Sequence, residues 1–360
     1  MKFGAPMTRR SALRLAVGGA SAAVSACASG QSARVSPSTS SGNTLRLGIG
    51  GARTNDSLDP ATYTDTFCVN VGRQIMNGLI EYDGQGRIAP ELLESWEAEP
   101  GAASWIFNVR QGVEFHNGQT LTPDDVVYSI NIHRENPLSL TGNILKRIKE
   151  VRAVSSNQIR IDLHEGDADL PHILGDYHLL VVPKGFNDWE HPIGTGPFRF
   201  ESFRPGVMAI TVRQPNYWKA GGARVEFIET LAINNDAARI DALLRGDVDV
   251  VNRVSPGQAT RIEAGSGIGI KRTPGRYHVQ MAMQVDTAPF NSVDVRRALK
   301  FGIDRQAALD LLFGGLGSLG NDHPVAPSDP DFNPELAQTG YDPERARHHL
   351  KKAGLDRLDV

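Results

Sequence analysis

Residues 105–110 read WIFNVR, alternating apolar and polar side chains as a half-buried strand does. The same pattern marks a first strand over 44–50 and a hairpin of 151–154 with 158–163 about Ser155-Ser156-Asn157. A second hairpin pairs 198–203 with 209–213 and turns at Pro205-Gly206. Further strands are predicted over 225–234, over 248–251 (short and buried) and over 279–285. Helix signals lie between them. Thr122-Pro123-Asp124-Asp125 offers a hydroxyl cap, Pro at the first helical position and acids in the first turn, so a helix should run on through 126–134. Others are expected over 65–79, 90–96, 236–244 (closed by Gly246), 293–302, 306–313 and 343–353 (with Gly354 just past its end). Interleaved strands and helices argue for mixed α/β lobes.

With 360 residues, 40% of them hydrophobic and 22% charged, the chain can bury a large core, and its length suggests two or more domains. A net charge of -3 and a pI near 6.4 argue against a nucleic-acid partner, which selects a basic face. No apolar run reaches the roughly 18 residues of a membrane span.

The opening residues read as an address rather than as fold. Thr8-Arg9-Arg10-Ser11 precedes an Ala-, Gly- and Val-rich run, resembling a twin-arginine export signal, and Val24-Ser25-Ala26-Cys27 resembles a lipobox. Residues 1–27 are therefore expected to be a signal with lipid attached at Cys27; simple cleavage near Ala26 is the alternative. Residues 28–43, rich in Ser, Gly and Pro, read as a flexible tether. The only other cysteine is Cys68, set beside Phe67 and Val69, and it reads as a small buried hydrophobe.

Several segments together carry a resemblance. They are Leu58-Asp59-Pro60, the stretch GLIEYDGQGRIAPELLESW from Gly78, FHNGQTLTPDDVVYSI from Phe115, GTGPF from Gly194 and RQPNYW from Arg213. They continue with LLRGDVDVV from Leu243, Pro289-Phe290 followed by VRRAL, Gly302-Ile303-Asp304-Arg305, and Tyr341-Asp342-Pro343 leading to Ala353-Gly354. In this order they resemble the extracytoplasmic solute-binding proteins of peptide, dipeptide and nickel ABC importers, family 5. The resemblance implies an α/β, two-lobed periplasmic-binding-protein type II fold with an inserted small α+β domain. It divides the chain into a first lobe (44–60 and 192–285), the inserted domain (61–191) and a second lobe from 286 to 360 that is incomplete. Relatives continue past the 341–354 helix, where an acidic residue holds a peptide's α-amino group. The resemblance further implies capture of peptides or similar small solutes, delivery to an ABC permease, a monomeric state, no cofactor, and a place in the periplasm or on the outer face of the cytoplasmic membrane. A ligand sensor on the same fold, or a non-binding short member, is the alternative.

Binding residues are expected where the chain crosses between lobes: Tyr63, Thr64, Asp65 and Phe67 in the Asp-Pro loop, with Tyr277 and Gln284 at the second crossing. Gln284 stands where the family often has Asn, and Ser139 and Thr141 stand where oligopeptide binders often have an aromatic. Enzyme patterns are missing: there is no H-E-x-x-H, G-x-S-x-G or C-x-x-C, and no metal site is expected. Asp124-Asp125 reads as helix capping, Gly265 to Gly269 as a loop, and His348-His349 as a solvated face. Trp96, Trp105 and Trp218 read as packing residues, and Trp189 could serve either role.

Overall fold

The computed structural model describes residues 43–358, apart from 85, 264–266, 274–277, 328, 330 and the side chain of Thr260. The expected signal, Cys27 and the tether as far as residue 42 lie outside the described residues, as do Tyr277 and the start of the 265–269 loop.

The first strand, β1 (Thr44–Ile49), leads through the Asp-Pro loop into helix α1 (Thr66–Ile75). The Asp65 carboxylate caps that helix, accepting from Phe67 N at 2.9 Å and Cys68 N at 3.2 Å. Phe67, Cys68, Val71 and Ile75 are buried on one face, spaced as one helical stripe.

The next strands are β2 (Ile80–Tyr82), β3 (Ile88–Pro90), β4 (Leu93–Ala98) and β5 (Ser104–Val109). The helix expected over 90–96 is instead strand. Leu92 and Leu93 are both buried, and the pairing of β4 with β5 shifts register between Leu93 and Ser95. Such an irregularity breaks strict alternation, and the apolar spacing then imitates a helix. Helix α2 (Pro123–Glu135) starts at Thr122, whose backbone N–H donates to Asp125 Oδ2 at 2.7 Å. It turns Val126, Ser129, Ile130 and His133 inward. Then follow α3 (Gly142–Leu145), β6 (Ile148–Ser155), β7 (Gln158–Leu163) and α4 (Leu170–Leu174). Strands β4-β5-β7-β6 form an antiparallel sheet whose core holds Phe107, Ile159 and Ile161 with Val126 and Ile130 of α2. Trp105 is buried in that core, and Trp96 and Trp218 pack against it.

The chain returns through β8 (Phe198–Arg204), β9 (Met208–Arg213) and β10 (Phe227–Ala232). Helix α5 (Asp236–Arg245) ends at Gly246, in the left-handed region that closes helices, before β11 (Val250–Val251) and α6 (Pro256–Glu263). Only Val248, just ahead of β11, is fully buried there; Val250 is exposed, because β11 is an edge strand. The five-stranded sheet runs β11-β1-β10-β9-β8, with β1 parallel to both β10 and β11 and the remaining pairs antiparallel. Its core takes Leu47, Ile49, Phe198 and Ile228 from the strands, Phe67, Val71 and Ile75 from α1, and Leu180 and Val182. Helix α1 thus shares a core with β1, although the expected boundary at 61 put it in the inserted domain.

Residues 279–285 alternate as a strand should, yet form none: Val279, Met281 and Val285 are exposed. Alternation supplies one apolar face, but a strand also needs a neighbour for its backbone groups, and none pairs with it among the described residues. Helices α7 (Val293–Gly302), α8 (Arg305–Phe313) and α9 (Pro343–Lys352) follow. Helices α7 and α9 pack through Val295, Ala298 and Ala346. His349 is not on a solvated face: its Nδ1 lies 2.8 Å from Asp294 Oδ1 and its ring stacks on Phe301. His348 is exposed.

Candidate ligand-binding site

Because β1, β10 and β11 run parallel, their carboxyl ends, Ile49, Ala232 and Val251, finish on one edge, and each is followed by a turn and a helix. In open α/β sheets this edge is where ligands settle, since loop amides and helix N-termini gather there. The loops are tied together by side chains. Asn252 Oδ1 accepts from Gly50 N at 3.0 Å; Asn234 Oδ1 accepts from Gly51 N and Ala52 N at 2.9 and 3.0 Å. Arg239, from α5, is buried beneath them. It donates to Ile233 O at 2.7 Å, to Asn252 O at 3.1 Å and to Asp236 at 2.7 Å, so its charge is matched inside the fold. A Cβ on Gly50 would sit 2.8 Å from the Arg239 guanidinium, which would then have to shift from its hydrogen bonds.

Arg253 follows this clamp with φ +53°, a left-handed conformation that a non-glycine residue rarely adopts and that tends to mark functional loops. Its Nη2 donates to Thr66 Oγ1 at 2.7 Å, bridging the β11 turn to the first residue of α1.

The expected site residues divide. Thr64 is exposed, and Asp65 lies beside Gly51 while capping α1. Tyr63 and Phe67 are core residues. The Tyr63 hydroxyl donates to Leu58 O at 3.0 Å, and Phe67 is fully buried and stacks with Phe203. Their aromatic faces are spent in holding the loop. Gly72 permits this, because a Cβ there would lie 2.4 Å from the Tyr63 hydroxyl. Gln284 is exposed on the unpaired 279–285 segment. Asn234, Arg239, Asn252 and Arg253 were not among the expected residues. For Asn234, Asn252 and Arg253 the usable signal was position, polar residues just after strands that end at a parallel edge; Arg239, within α5, carried none.

The return crossing is set by backbone contact. Gly196 N donates to Ile75 O at 2.8 Å, and a Cβ on Gly194 would come within 2.3 Å of that same oxygen. Beside it, Asn77 donates to Glu91 Oε1 at 2.7 Å and accepts from Thr195 and Trp218. Burial pushes the Glu91 carboxyl up and the Tyr217 phenol up to about 12. These groups tie the connecting segments at 77, 91, 195 and 217–218 to one another.

Oxygens of Asp56 and Asp65 and the Cys68 sulfur lie within 4.8 Å of one another, a donor set that could hold a metal ion. Burial first, then the two carboxylates, raise the Cys68 thiol far above its usual range, so it is protonated at neutral pH and a poor nucleophile or ligand. The Asp65 carboxylate is already engaged at the α1 cap.

Strand ends, capped helices and a clamped turn give this edge of the open α/β sheet a chemistry of hydrogen bonding and fixed charge. The chain belongs to the bacterial extracellular solute-binding proteins, family 5, whose middle-part model matches residues 87–359. It is 27% identical over 313 residues to heme-binding protein A of Haemophilus influenzae, covering 78% of this chain and 57% of that protein. It is 26% identical to a dipeptide-binding protein of Pseudomonas aeruginosa, covering 83% and 62%. The periplasmic binding protein DppA of Helicobacter pylori, solved with the peptide STSA, shares the fold at TM-score 0.72 and 22% identity, covering 87% of this chain and 66% of that one. The chain spans about three-fifths of the length of the curated relatives it matches.

Proposed function

We propose that this protein is the solute-capturing component of an ABC importer, taking a peptide or similar small solute at the carboxyl edge of β1, β10 and β11 and passing it to a membrane permease. The observation that carries this reading is the clamp of Asn234, Asn252 and Arg239 on Gly50 to Ala52, which fixes loop backbone where a ligand main chain can be met. Backbone recognition tolerates varied side chains, as a peptide importer requires, and relatives named for dipeptide and heme binding are consistent with an adaptable edge. Thr64, Asp65, Arg253, Gln284 and Tyr277 are the proposed contacts, with Tyr63 and Phe67 supporting the loop from below. The protein acts by binding and release, without covalent chemistry, outside the cytoplasmic membrane and anchored through Cys27.

Native mass spectrometry of protein purified without denaturation should show a retained small solute, and titration with that solute should saturate at one equivalent. Only apoprotein, together with no saturable binding across di- and tripeptides, would reject the reading. For the anchor, Cys27→Ala should move the protein from the membrane fraction to the soluble one; unchanged fractionation would reject the lipid.

A further inference from the structure

A cavity of about 340 Å³ opens between the end of α1, α3 and the 172–179 turn. Its volume lies at the lower end of the roughly 300–1,000 Å³ of small-molecule sites. Its floor is apolar: Leu145, Ile173 and Leu179. Its rim is Tyr82, Tyr177 and Ile144, all exposed large hydrophobics. The rings are held in place. The Tyr82 hydroxyl donates to His172 O at 2.9 Å, and Tyr177 stacks on His178 with centroids 4.0 Å apart. Gly175 belongs to this design, since a Cβ there would lie 2.8 Å from the Tyr82 ring.

Two opposite charges, Arg73 and Asp176, line the same cavity without pairing with each other. The Arg73 side chain makes no hydrogen bond or ion pair among the described residues, although its field reaches the buried Glu91. Asp176 takes both of its hydrogen bonds on Oδ1, from His178 N at 2.9 Å and His178 Nδ1 at 2.6 Å, which leaves Oδ2. Burial works against its charge, but those bonds outweigh it and hold the carboxyl below its usual range, so it is ionised at neutral pH.

We propose that this cavity binds a free α-amino acid with an apolar side chain, its carboxylate on Arg73, its ammonium on Asp176 and its side chain over Leu145, Ile173 and Leu179. A simple anion would face Asp176 and a simple cation would face Arg73; a zwitterion with an apolar body satisfies both charges and the floor. The site shares no residue with the strand-edge clamp, so it stands whether or not that edge binds peptide.

The test is calorimetric titration of the whole chain with L-phenylalanine and L-leucine, alongside phenylalaninamide, which lacks the carboxylate, and 3-phenylpropionate, which lacks the ammonium. Saturable binding of the amino acids is expected, with each phenyl analogue at least about tenfold weaker, near 1.4 kcal/mol. Arg73→Gln should weaken phenylalanine and leave phenylalaninamide unchanged. Asp176→Asn should weaken phenylalanine and leave 3-phenylpropionate unchanged. Ile144→Glu, at the exposed rim, should abolish all binding without loss of the melting transition, and it decides the matter with Arg73→Gln if Asp176→Asn disturbs His178. No saturable amino-acid binding, analogues as good as the amino acids, or binding unchanged in Ile144→Glu and Arg73→Gln would each overturn the proposal.

Discussion

Helices α1 and α8 are of similar length and both are capped by an aspartate, yet they meet different fates. Helix α1 lies against the five-stranded sheet and buries Phe67, Val71 and Ile75; α8 buries no residue, and its Leu311 is 85% exposed. The same contrast separates 43–263 from 278–358. The first region builds three sheets, the two larger ones each with a core of its own, whereas the second contributes three helices that meet chiefly through α7 and α9. Caps and propensity suffice to start a helix. Burial is decided by what lies opposite, and it supplies most of a helix's stability in a folded protein.

The contrast is broken most directly by truncating one side chain in each helix. Phe67→Ala should cost about 3–5 kcal/mol, as a filled core site does, while Leu311→Ala should stay within about 0.5 kcal/mol. Equal losses in denaturant melts would show that α8 has a partner after all.

A smaller effect concerns pH and belongs to the packed region. Burial, with the nearby charge of His178, lowers His133 from its ordinary 6.5 to about 4. Protonation then favours the unfolded chain. The stabilisation is complete above about pH 6.5 and is lost as pH falls toward 4, about 3 kcal/mol at about 1.4 kcal/mol per unit. Comparing melts of wild type and His133→Gln across this window isolates the contribution; parallel curves would contradict it.

Smallest is Arg253→Gly. Releasing a left-handed arginine should stabilise the fold by about 1 kcal/mol, while the loss of its bridge to Thr66 weakens ligand binding. A lower melting temperature would mean that the bridge matters more to stability than the strain does.

Much of this architecture was legible in the sequence. The helix start at Thr122-Pro123, the hairpins about 155–157 and 205–206, and the end of α5 at Gly246 depend on contacts a few residues apart. What was illegible depends on distant partners. Residues 90–96 looked helical until a register shift against β5 explained Leu92 and Leu93, and 279–285 looked like a strand although no neighbour pairs with it among the described residues. The burial of Tyr63 and Phe67 was illegible for the same reason. Motif position singles out the Asp-Pro loop, but that Tyr63 and Phe67 face the core is fixed by Leu58, Gly72 and Phe203. Asn234 and Asn252 become a clamp only when β1 is placed between β10 and β11.

The central claim is that the carboxyl edge of β1, β10 and β11 captures a solute. The most direct measurement is calorimetric titration of wild type and Arg253→Gly with di- and tripeptides, with melting followed in parallel. One-to-one saturable binding to wild type is predicted, weakened at least about fivefold in Arg253→Gly (about 1 kcal/mol) without a fall in melting temperature. Equal affinity in the two proteins would move the site elsewhere, and no binding to either would contradict the account.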